Sequence, residues 1–304
     1  MRIGINPTKM VIFFGVGGPE PNDIKYGGTG FLVTDREQGT HIPFLITCRH
    51  VAEHLSKYQS FITRVNQRGG GAQTFTFEYG MLNWIYHPDP TVDVAGALVW
   101  ILPGALDIVH GDVSEEPFLA KSDEVQWGDA ISLIGLFRLH AGKQKNVPFV
   151  HSGHIAVLPD KSERVPIRNR VTKELDLAEV YLVEAQTLDG LSGSPVFLHE
   201  SVEIGVPERG VARRVFGNVR LLGVYGGSWD GEPGVVLAAD RDFRGNVRVP
   251  VGVGIVTPIE KVIELIRSDG MKKGREEARV AVLKMSGPLE ELYASLRKQQ
   301  EEGK

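Results

Sequence analysis

The sequence predicts an all-β protein. From Met10 to Val183 it consists largely of short segments rich in β-branched and aromatic residues, separated by Gly, Pro, Asn and Asp. One strand with its turn takes about ten residues, which is typical of barrels and sandwiches rather than of alternating βαβ units. The high glycine count, 36 in 304 residues, fits a chain with many tight turns.

Two series of strands are predicted on either side of an acidic, turn-rich segment at 107–130, which we interpret as a linker. The first series comprises 28–35, 42–48, 60–67, 72–81 and 92–102, and the second comprises 130–137, 149–158, 178–185, 194–198, 219–227 and 251–258. We therefore expect an N-terminal β domain at 10–115 and a C-terminal β domain at 116–270.

The C-terminal part of the chain changes to helical patterning. After Pro258 the string IEKVIELIRSDG predicts an amphipathic helix that is finished by Gly270. The charged tail at 271–304 is predicted to be helical in its last part, where Leu289, Leu292, Tyr293 and Leu296 recur at helical spacing. Two roles remain open for this tail, docking on its own domain or contact with a partner or a second copy of the chain.

Composition excludes several classes of function. A net charge of −4 gives no electrostatic case for nucleic acid, and the basic clusters at 161–173 and 208–214 lack interleaved aromatic residues. Cys48 is the only cysteine, so an intramolecular disulfide is impossible. The apolar run from Val11 to Val16 is too short for a signal peptide, and nothing approaches the roughly 20 apolar residues of a membrane span. We expect a cytoplasmic protein with no membrane contact.

The stretch TCRHVAEHL, residues 47–55, supports two interpretations. His50, Glu53 and His54 form an H-x-x-E-H pattern, in which two histidines on one helix bind zinc. Alternatively, the preceding apolar strand FLIT delivers His50 at a strand end, as a general base for a distant nucleophile. The strand-like residues before His50 favour the second interpretation, because they leave no helical turn upstream of it.

The string LDGLSGSPVF, residues 188–197, contains the pattern G-x-S-G-x-P around Ser192. A serine hydroxyl becomes a nucleophile when a base takes its proton and hydrogen-bond donors stabilise the oxyanion that forms. Glycines let the chain turn so that the amides of Gly190 and Ser192 converge as such donors. A plain Gly/Ser-rich hairpin turn is the alternative. The pattern differs from the G-x-S-x-G elbow of α/β-hydrolases because Ser194 occupies the last glycine position.

Together with Asp93 at the start of VDVAGALV, these residues follow the order His50, Asp93, Ser192. Here the chain resembles the trypsin/chymotrypsin family of serine proteases, in its bacterial, disulfide-free branch. The strings that carry the resemblance are GGTGFLVT, ITCRHV, VDVAGALV, DGLSGSPVF, and LLGVYGG followed by GVGIVTPIEKVIELI. The resemblance implies a chymotrypsin-like fold of two six-stranded antiparallel β-barrels, a C-terminal helix and a catalytic site between the barrels.

The resemblance also implies a role for each matching residue. Ser192 is expected to be the nucleophile and His50 the general base, with Asp93 orienting the imidazole. The amides of Gly190 and Ser192 are expected to form the oxyanion hole. Asp89 is the competing carboxylate, but only Asp93 opens the apolar D-V-A string.

The sequence departs from the animal members of the family just before the nucleophile. Leu191 stands where many of them carry an aspartate that pairs with a new N-terminus, so we expect no activation by that route. The resemblance places Gln186 at the base of the specificity pocket and Val224, Tyr225 and Gly226 along one wall. Because no acid lies at that base, we expect a preference for small or medium uncharged side chains. The segments 199–218 and 228–250 are expected to be insertions around this pocket.

The function predicted from the sequence is a serine endopeptidase that acts on proteins or peptides through an acyl-enzyme, with no cofactor and no metal. An activating partner, or a homo-oligomer formed through the tail, is a further expectation. Two alternatives stay open, a trypsin-fold interaction module with little or no catalysis and a zinc hydrolase built on H-x-x-E-H. The other close histidine pair, His151 and His154, has no evident third ligand and is expected to serve a strand and its turn.

Overall fold

The computed structural model is built mainly of β-strands, as predicted. It describes residues 7–17, 24–78, 80–99, 106–115, 118–168, 174–185, 189–206, 211–230 and 250–281. Its strands form one large sheet, one closed barrel and one small hairpin. None of the helices in these ranges is long and apolar enough to cross a membrane.

The first half of the chain forms an eight-stranded sheet. Its strands are β1 (Val11–Gly17), β2 (Ile24–Glu37), β3 (Thr40–Thr47), β4 (Ser60–Asn66), β5 (Ala72–Glu78), β6 (Ile85–Tyr86), β7 (Ala95–Leu98) and β8 (Gly111–Asp112). They lie in the order β5-β4-β1-β2-β3-β7-β6, and β8 pairs in parallel with β2. A six-stranded antiparallel barrel was expected here, but the described strands form an open eight-stranded sheet, in which β6 and β8 are additional strands of two residues each and β8 is parallel to β2.

The second half forms a closed six-stranded barrel in the order β10-β13-β16-β15-β14-β9, as expected. Its strands are β9 (Ala130–Gly135), β10 (Phe149–Val157), β13 (Tyr181–Glu184), β14 (Ser194–Val206), β15 (Val211–Asp230) and β16 (Pro250–Pro258). Two further strands, β11 (Val165–Arg168) and β12 (Leu175–Ala178), pair with each other as a separate hairpin.

The two predicted insertions have different outcomes. Most of 199–218 belongs to β14 and β15, which continue past the barrel as a long paired hairpin, while 207–210 lies outside the described residues. Of 228–250, the stretch 231–249 lies outside the described residues.

The segment 107–130 is packed against both halves rather than forming a free linker. It contributes β8, and its Val113, Phe118, Ala120 and Val125 are buried. The amide of Ala120 donates to the carbonyl of Leu221 in β15. The linker interpretation was based on the acidic and turn-forming residues of this segment. The apolar residues between them pack in the core and make the segment part of the fold.

Three α-helices are described, besides short 3₁₀-helices such as Pro7–Lys9 and Arg138–His140. Helix α1 (Arg49–Leu55) follows β3, and helix α2 (Ile259–Ile266) follows β16 with Pro258 at its N-terminal boundary. The predicted single helix up to Gly270 was too long, because α2 ends at Ile266 and a new helix, α3, occupies 269–281. The apolar residues at helical spacing in the predicted tail helix, 289–296, lie outside the described residues.

Helix α3 docks on the first half of the chain. Its Met271 and Ala278 are 1% and 2% exposed. The guanidinium of Arg275 binds Asp35 and Glu37 of β2, at 3.0 and 2.8 Å, and lies over the ring of Phe44. The described beginning of the tail therefore packs on its own chain.

Asp35 anchors this docking and is 1% exposed. It accepts two hydrogen bonds from Arg267, at 3.0 and 2.8 Å, besides the one from Arg275. Burial by itself raises the pKa of Asp35, but the hydrogen bonds and charges of the two arginines outweigh it and hold the pKa below its usual value.

An Asp35→Asn variant is expected to lose up to about 3 kcal/mol of unfolding free energy at neutral pH, because the buried guanidinium of Arg275 then keeps only Glu37 as a carboxylate partner. Since the pKa of Asp35 is lowered in the folded state, its contribution is present above its unfolded pKa of about 3.9 and is lost as pH falls through the folded pKa. Urea unfolding should therefore separate wild type from variant at pH 7 and bring them together in acid. Glu276→Gln, which removes an exposed ion pair with Arg279, is the control and should change little; an equal effect of both variants would contradict the account.

Candidate active site

His50 and Asp93 are joined by two hydrogen bonds. The main-chain amide of His50 donates to Asp93 Oδ1 at 3.0 Å, and His50 Nδ1 lies 2.7 Å from Asp93 Oδ2. His50 sits in the first turn of α1, which starts directly after β3 and Cys48. Because the carboxylate faces Nδ1, the proton belongs on that nitrogen, and Nε2 is left as the acceptor. This is the tautomer that a general base requires.

Asp89, the competing carboxylate, is occupied elsewhere. Its Oδ1 accepts hydrogen bonds from the amide and the hydroxyl of Thr91, at 2.9 and 2.8 Å. Burial raises the pKa of Asp89, but the bonds from Thr91 outweigh it, so the pKa is lowered overall. Asp89 thus shapes the turn that precedes Asp93, and Asp93 is the carboxylate that contacts His50.

The loop around Ser192 depends on two glycines with positive φ. Gly190 has φ +101° and Gly193 has φ +87°. A Cβ atom on Gly193 would lie 2.0 Å from the carbonyl oxygen of Thr29, and one on Gly190 would lie 2.9 Å from Leu136. Both positions therefore require glycine for conformation and for space.

The two amides expected to bind an oxyanion are unoccupied by backbone acceptors. Among the described residues, neither the Gly190 amide nor the Ser192 amide donates to a backbone carbonyl, whereas the amides of Gly193 and Ser194 donate to Tyr225 and Leu191. Leu191 is fully buried in the core of the second barrel. An apolar side chain thus fills the place where the animal proteases carry their aspartate.

The carbonyl of Tyr225 links the two halves of the candidate site. It accepts a hydrogen bond from the Gly193 amide at 2.9 Å and one from Cys48 Sγ at 3.2 Å. Cys48 lies two residues before His50, and Gly193 directly follows Ser192. A single backbone group of β15 therefore anchors both the residues before His50 and the residue after Ser192.

Thr29 of β2 makes a second link, which sequence reasoning missed. Its hydroxyl donates to the carbonyl of Gly190 at 2.8 Å and accepts from the amide of Leu136 at 2.9 Å. Its amide donates to the carbonyl of Ser192 at 3.0 Å, and its carbonyl accepts from Thr47 Oγ1 at 2.7 Å. A hydroxyl between two glycines in an apolar strand was the available signal, and the string GGTGF served only as a family marker.

Thr29→Val keeps the shape of the side chain and removes its hydroxyl, which leaves the Gly190 carbonyl and the Leu136 amide without this partner. We expect kcat to fall by up to about 100-fold, since a displacement of about 1 Å at a catalytic group costs that much. Thr29→Ser retains the hydroxyl and should keep most of the activity. Steady-state kinetics of the two variants, with circular dichroism to verify folding, measures the difference; equal loss in both would assign the effect to packing.

The residues predicted to form the specificity pocket are only partly described. Gln186 lies outside the described residues. Val224 and Tyr225 are 0% and 1% exposed, so their side chains are buried in the apolar cores and do not line an open pocket wall. Gly226 adjoins the site, because a Cβ atom there would lie 3.5 Å from Asp93 Oδ2.

The H-x-x-E-H residues have separate partners. Glu53 pairs with Arg49 at 2.7 Å, and His54 Nε2 lies 3.4 Å from the hydroxyl of Tyr58, while His50 contacts Asp93. The donor atoms that come together are instead those of Cys48, His50 and Asp93, which lie within 4.8 Å of one another. A metal ion there would compete with the His50–Asp93 hydrogen bond and with the bond from the buried Cys48 thiol to Tyr225.

His151 and His154 both lie in β10 (Phe149–Val157). The ring of His151 stacks on Phe149, and partial burial lowers its pKa. His154 pairs in register with Glu184 and Ala130 of the neighbouring strands. Both histidines are thus strand residues, as expected.

The known proteins that match this chain are solved structures, and their sequence identities to it are low. No protein-family model and no curated protein matches the sequence. An HtrA-type protease, AlgW with a decapeptide, is 14% identical over 86% of this chain, with a TM-score of 0.46, and the chain spans 64% of its length. Two inactive forms of the Rv3671c protease, one described as from M. tuberculosis H37Rv, are 15% identical over 86% of this chain and 88% and 87% of theirs, with TM-scores of 0.45 and 0.41. All three are described as proteases.

Proposed function

We propose that this protein is a serine endopeptidase with Ser192 as nucleophile, His50 as general base and Asp93 as the residue that orients His50. The observation that carries the proposal is the two-point hydrogen bonding between Asp93 and His50, which leaves Nε2 as the acceptor. It is supported by the Tyr225 carbonyl, which anchors both the segment before His50 and the residue after Ser192.

In the proposed reaction, His50 Nε2 takes the proton from Ser192 Oγ as that oxygen attacks the carbonyl carbon of a peptide bond. The amides of Gly190 and Ser192 bind the resulting oxyanion. The tetrahedral intermediate then collapses, the imidazolium gives its proton to the departing amine, and an acyl-enzyme remains. Water, deprotonated by His50, attacks the acyl carbon, and the carboxylic acid leaves with Ser192 restored. Removing one oxyanion donor typically costs about 100- to 1000-fold in rate.

Digestion of fluorescently labelled casein by the purified protein, with and without EDTA, tests the proposal. Casein is unfolded and offers many side chains, so the test does not depend on the specificity pocket. We expect peptide products to appear at the same rate in both samples. Cleavage abolished by EDTA would favour the zinc hydrolase, and a folded protein that gives no cleavage would favour the interaction module.

A preference for small or medium uncharged side chains, an activating partner and a cytoplasmic location belong to the same proposal. A cytoplasmic location is supported by Cys48, a buried cysteine that forms no disulfide. Sequencing the casein products should show the side-chain preference on the acyl side of each cut, and frequent cuts after Lys or Arg would contradict it.

Assembly through the tail is best tested by a chain that ends after Ala281. Truncation at Gly270 would also remove Met271 and Arg275, which pack on the first half. A change in mass could then result from unfolding rather than from lost assembly. If the oligomer forms through 282–304, the shortened chain should have a lower mass in light scattering; an unchanged mass and activity would exclude that role.

A further inference from the structure

The segment 138–147, which follows β9, contacts the loop that carries Ser192 at residue Asp189. The amide of Arg138 donates to the carbonyl of Asp189 at 3.1 Å. Two residues earlier in the chain, the amide of Leu136 donates to the Thr29 hydroxyl, and this hydroxyl donates to the carbonyl of Gly190. The Asp189–Gly190 turn, which carries one expected oxyanion donor, therefore rests on this segment.

The far end of the same segment is held by Arg64 of β4, in the first half of the chain. Arg64 is 8% exposed, and its guanidinium donates to Asn146 Oδ1 at 2.6 Å. It also donates to the carbonyls of Ala141 and Gly142, at 2.7 and 2.8 Å, and lies 4.6 Å from the centre of the Tyr26 ring. In the described part of the chain these partners are all neutral.

Asn146 completes the contact from the other side. It is 3% exposed, its side-chain amide donates to the carbonyl of Arg64, and it exchanges two hydrogen bonds with Asn66, at 2.7 and 3.0 Å. Asn146 is the one buried residue within 138–147, whereas Leu139 is 84% exposed. The segment is therefore attached to the first half by polar contacts, with little apolar burial of its own.

We propose that the contact between Arg64 and Asn146, here called the clamp, fixes the segment 138–147 and thereby the position of the Asp189–Gly190 turn. Arg64 is then a positioning residue for the acyl-transfer site, and this inference rests on the proposed function. A buried guanidinium is costly unless its donors are satisfied, so the clamp favours one arrangement of the carbonyls at 141 and 142 over any alternative. Losing Asn146 removes the side-chain oxygen that lies 2.6 Å from Arg64 Nε.

Hydrogen exchange tests the coupling independently of catalysis. In Asn146→Ala, we expect amides in 138–147 and in 189–193 to exchange about tenfold faster or more, because local opening is then less costly, while β4 and β9 keep wild-type protection. Arg68→Met is the matched control, since the exposed Arg68 donates to the carbonyl of Leu106 within the first half and, among the described residues, makes no hydrogen bond or ion pair with 138–147. Unchanged exchange at 189–193 in Asn146→Ala would overturn the proposal, even if the protein proves to have no protease activity.

Kinetics of the same variants tests the consequence for the site. We expect kcat per folded molecule to fall about 10- to 100-fold in Asn146→Ala with KM nearly unchanged. The reason is that a displaced catalytic group slows the chemical step without weakening substrate binding. Arg64→Lys keeps the charge without the planar set of donors and should show the same pattern. A loss of activity that merely follows the unfolded fraction, or a change confined to KM, would contradict positioning. If wild type itself cleaves no casein, the proposed function fails, while the exchange measurement still decides the coupling.

Discussion

A Ser192→Ala variant is expected to lose about six orders of magnitude in kcat while folding normally. Loss of a triad nucleophile removes covalent catalysis altogether, and such losses are on the order of 10⁶-fold. The fold should tolerate the change, because Ala differs from Ser only by the hydroxyl and the backbone of the loop is held by Thr29 and Tyr225. The measurement is the initial rate of casein digestion at matched concentrations, with the urea midpoint as the test of folding.

Ser194→Ala is the matched control for this variant. Ser194 Oγ is buried, and the described structure provides it with no hydrogen-bond partner. Burying an unsatisfied hydroxyl costs about 1–3 kcal/mol, so its removal should leave stability equal or slightly higher. Activity should stay close to wild type. If Ser194→Ala were the inactive variant and Ser192→Ala the active one, the assignment of the nucleophile would be wrong.

An Asp93→Asn variant is expected to show a fall in kcat of about 10⁴-fold, as this change does in a serine-protease triad. The Asn oxygen can still accept from the His50 amide, which leaves the Asn NH₂ group facing His50 Nδ1. That nitrogen must then act as acceptor, so the proton moves to Nε2, and His50 can no longer take the proton of Ser192. The activity that remains in Asp93→Asn should follow a different pH profile from that of wild type, because the neutral imidazole of His50 no longer accepts the serine proton.

Asp89→Asn distinguishes a catalytic carboxylate from a structural one. Asp89 accepts both of its hydrogen bonds from Thr91, and Asn can keep one of them through its oxygen. We expect less than about a tenfold change in kcat, with a loss of stability on the order of 1 kcal/mol for the weakened turn. Comparable losses of activity in Asp89→Asn and Asp93→Asn would remove the specific role assigned to Asp93.

The all-β class and the helix after β16 could be predicted from local patterns, namely β-branched residues, glycine-rich turns and one amphipathic run. The closed barrel of the second half was predicted only through the family resemblance, since local patterning leaves barrel and sandwich open. The pairing of His50 with Asp93 was predicted only through the family resemblance, since 43 residues separate them and no local pattern brings them together. The strand that contains Asp93 was predicted too long, because Asp93 lies in the turn before β7 (Ala95–Leu98), where its carboxylate faces His50.

Other features depend on tertiary contacts that carry no local signal. Thr29 and the Tyr225 carbonyl matter because strands from both halves meet at them. Arg64 and Asn146 are 82 residues apart, and each alone resembles an ordinary surface residue in the sequence. The docking of α3 on β2 likewise depends on a distant contact, because Arg275 binds Asp35, which lies 240 residues earlier in the chain.

The most direct test of the central claim is covalent labelling by a fluorophosphonate probe, with the modified residue located by mass spectrometry. Such a probe reacts with a serine only where a base and oxyanion donors activate it. We predict a single adduct on Ser192 that forms equally in EDTA and is absent from Ser192→Ala and from His50→Ala. An adduct on another residue, or labelling that persists in Ser192→Ala, would contradict the account.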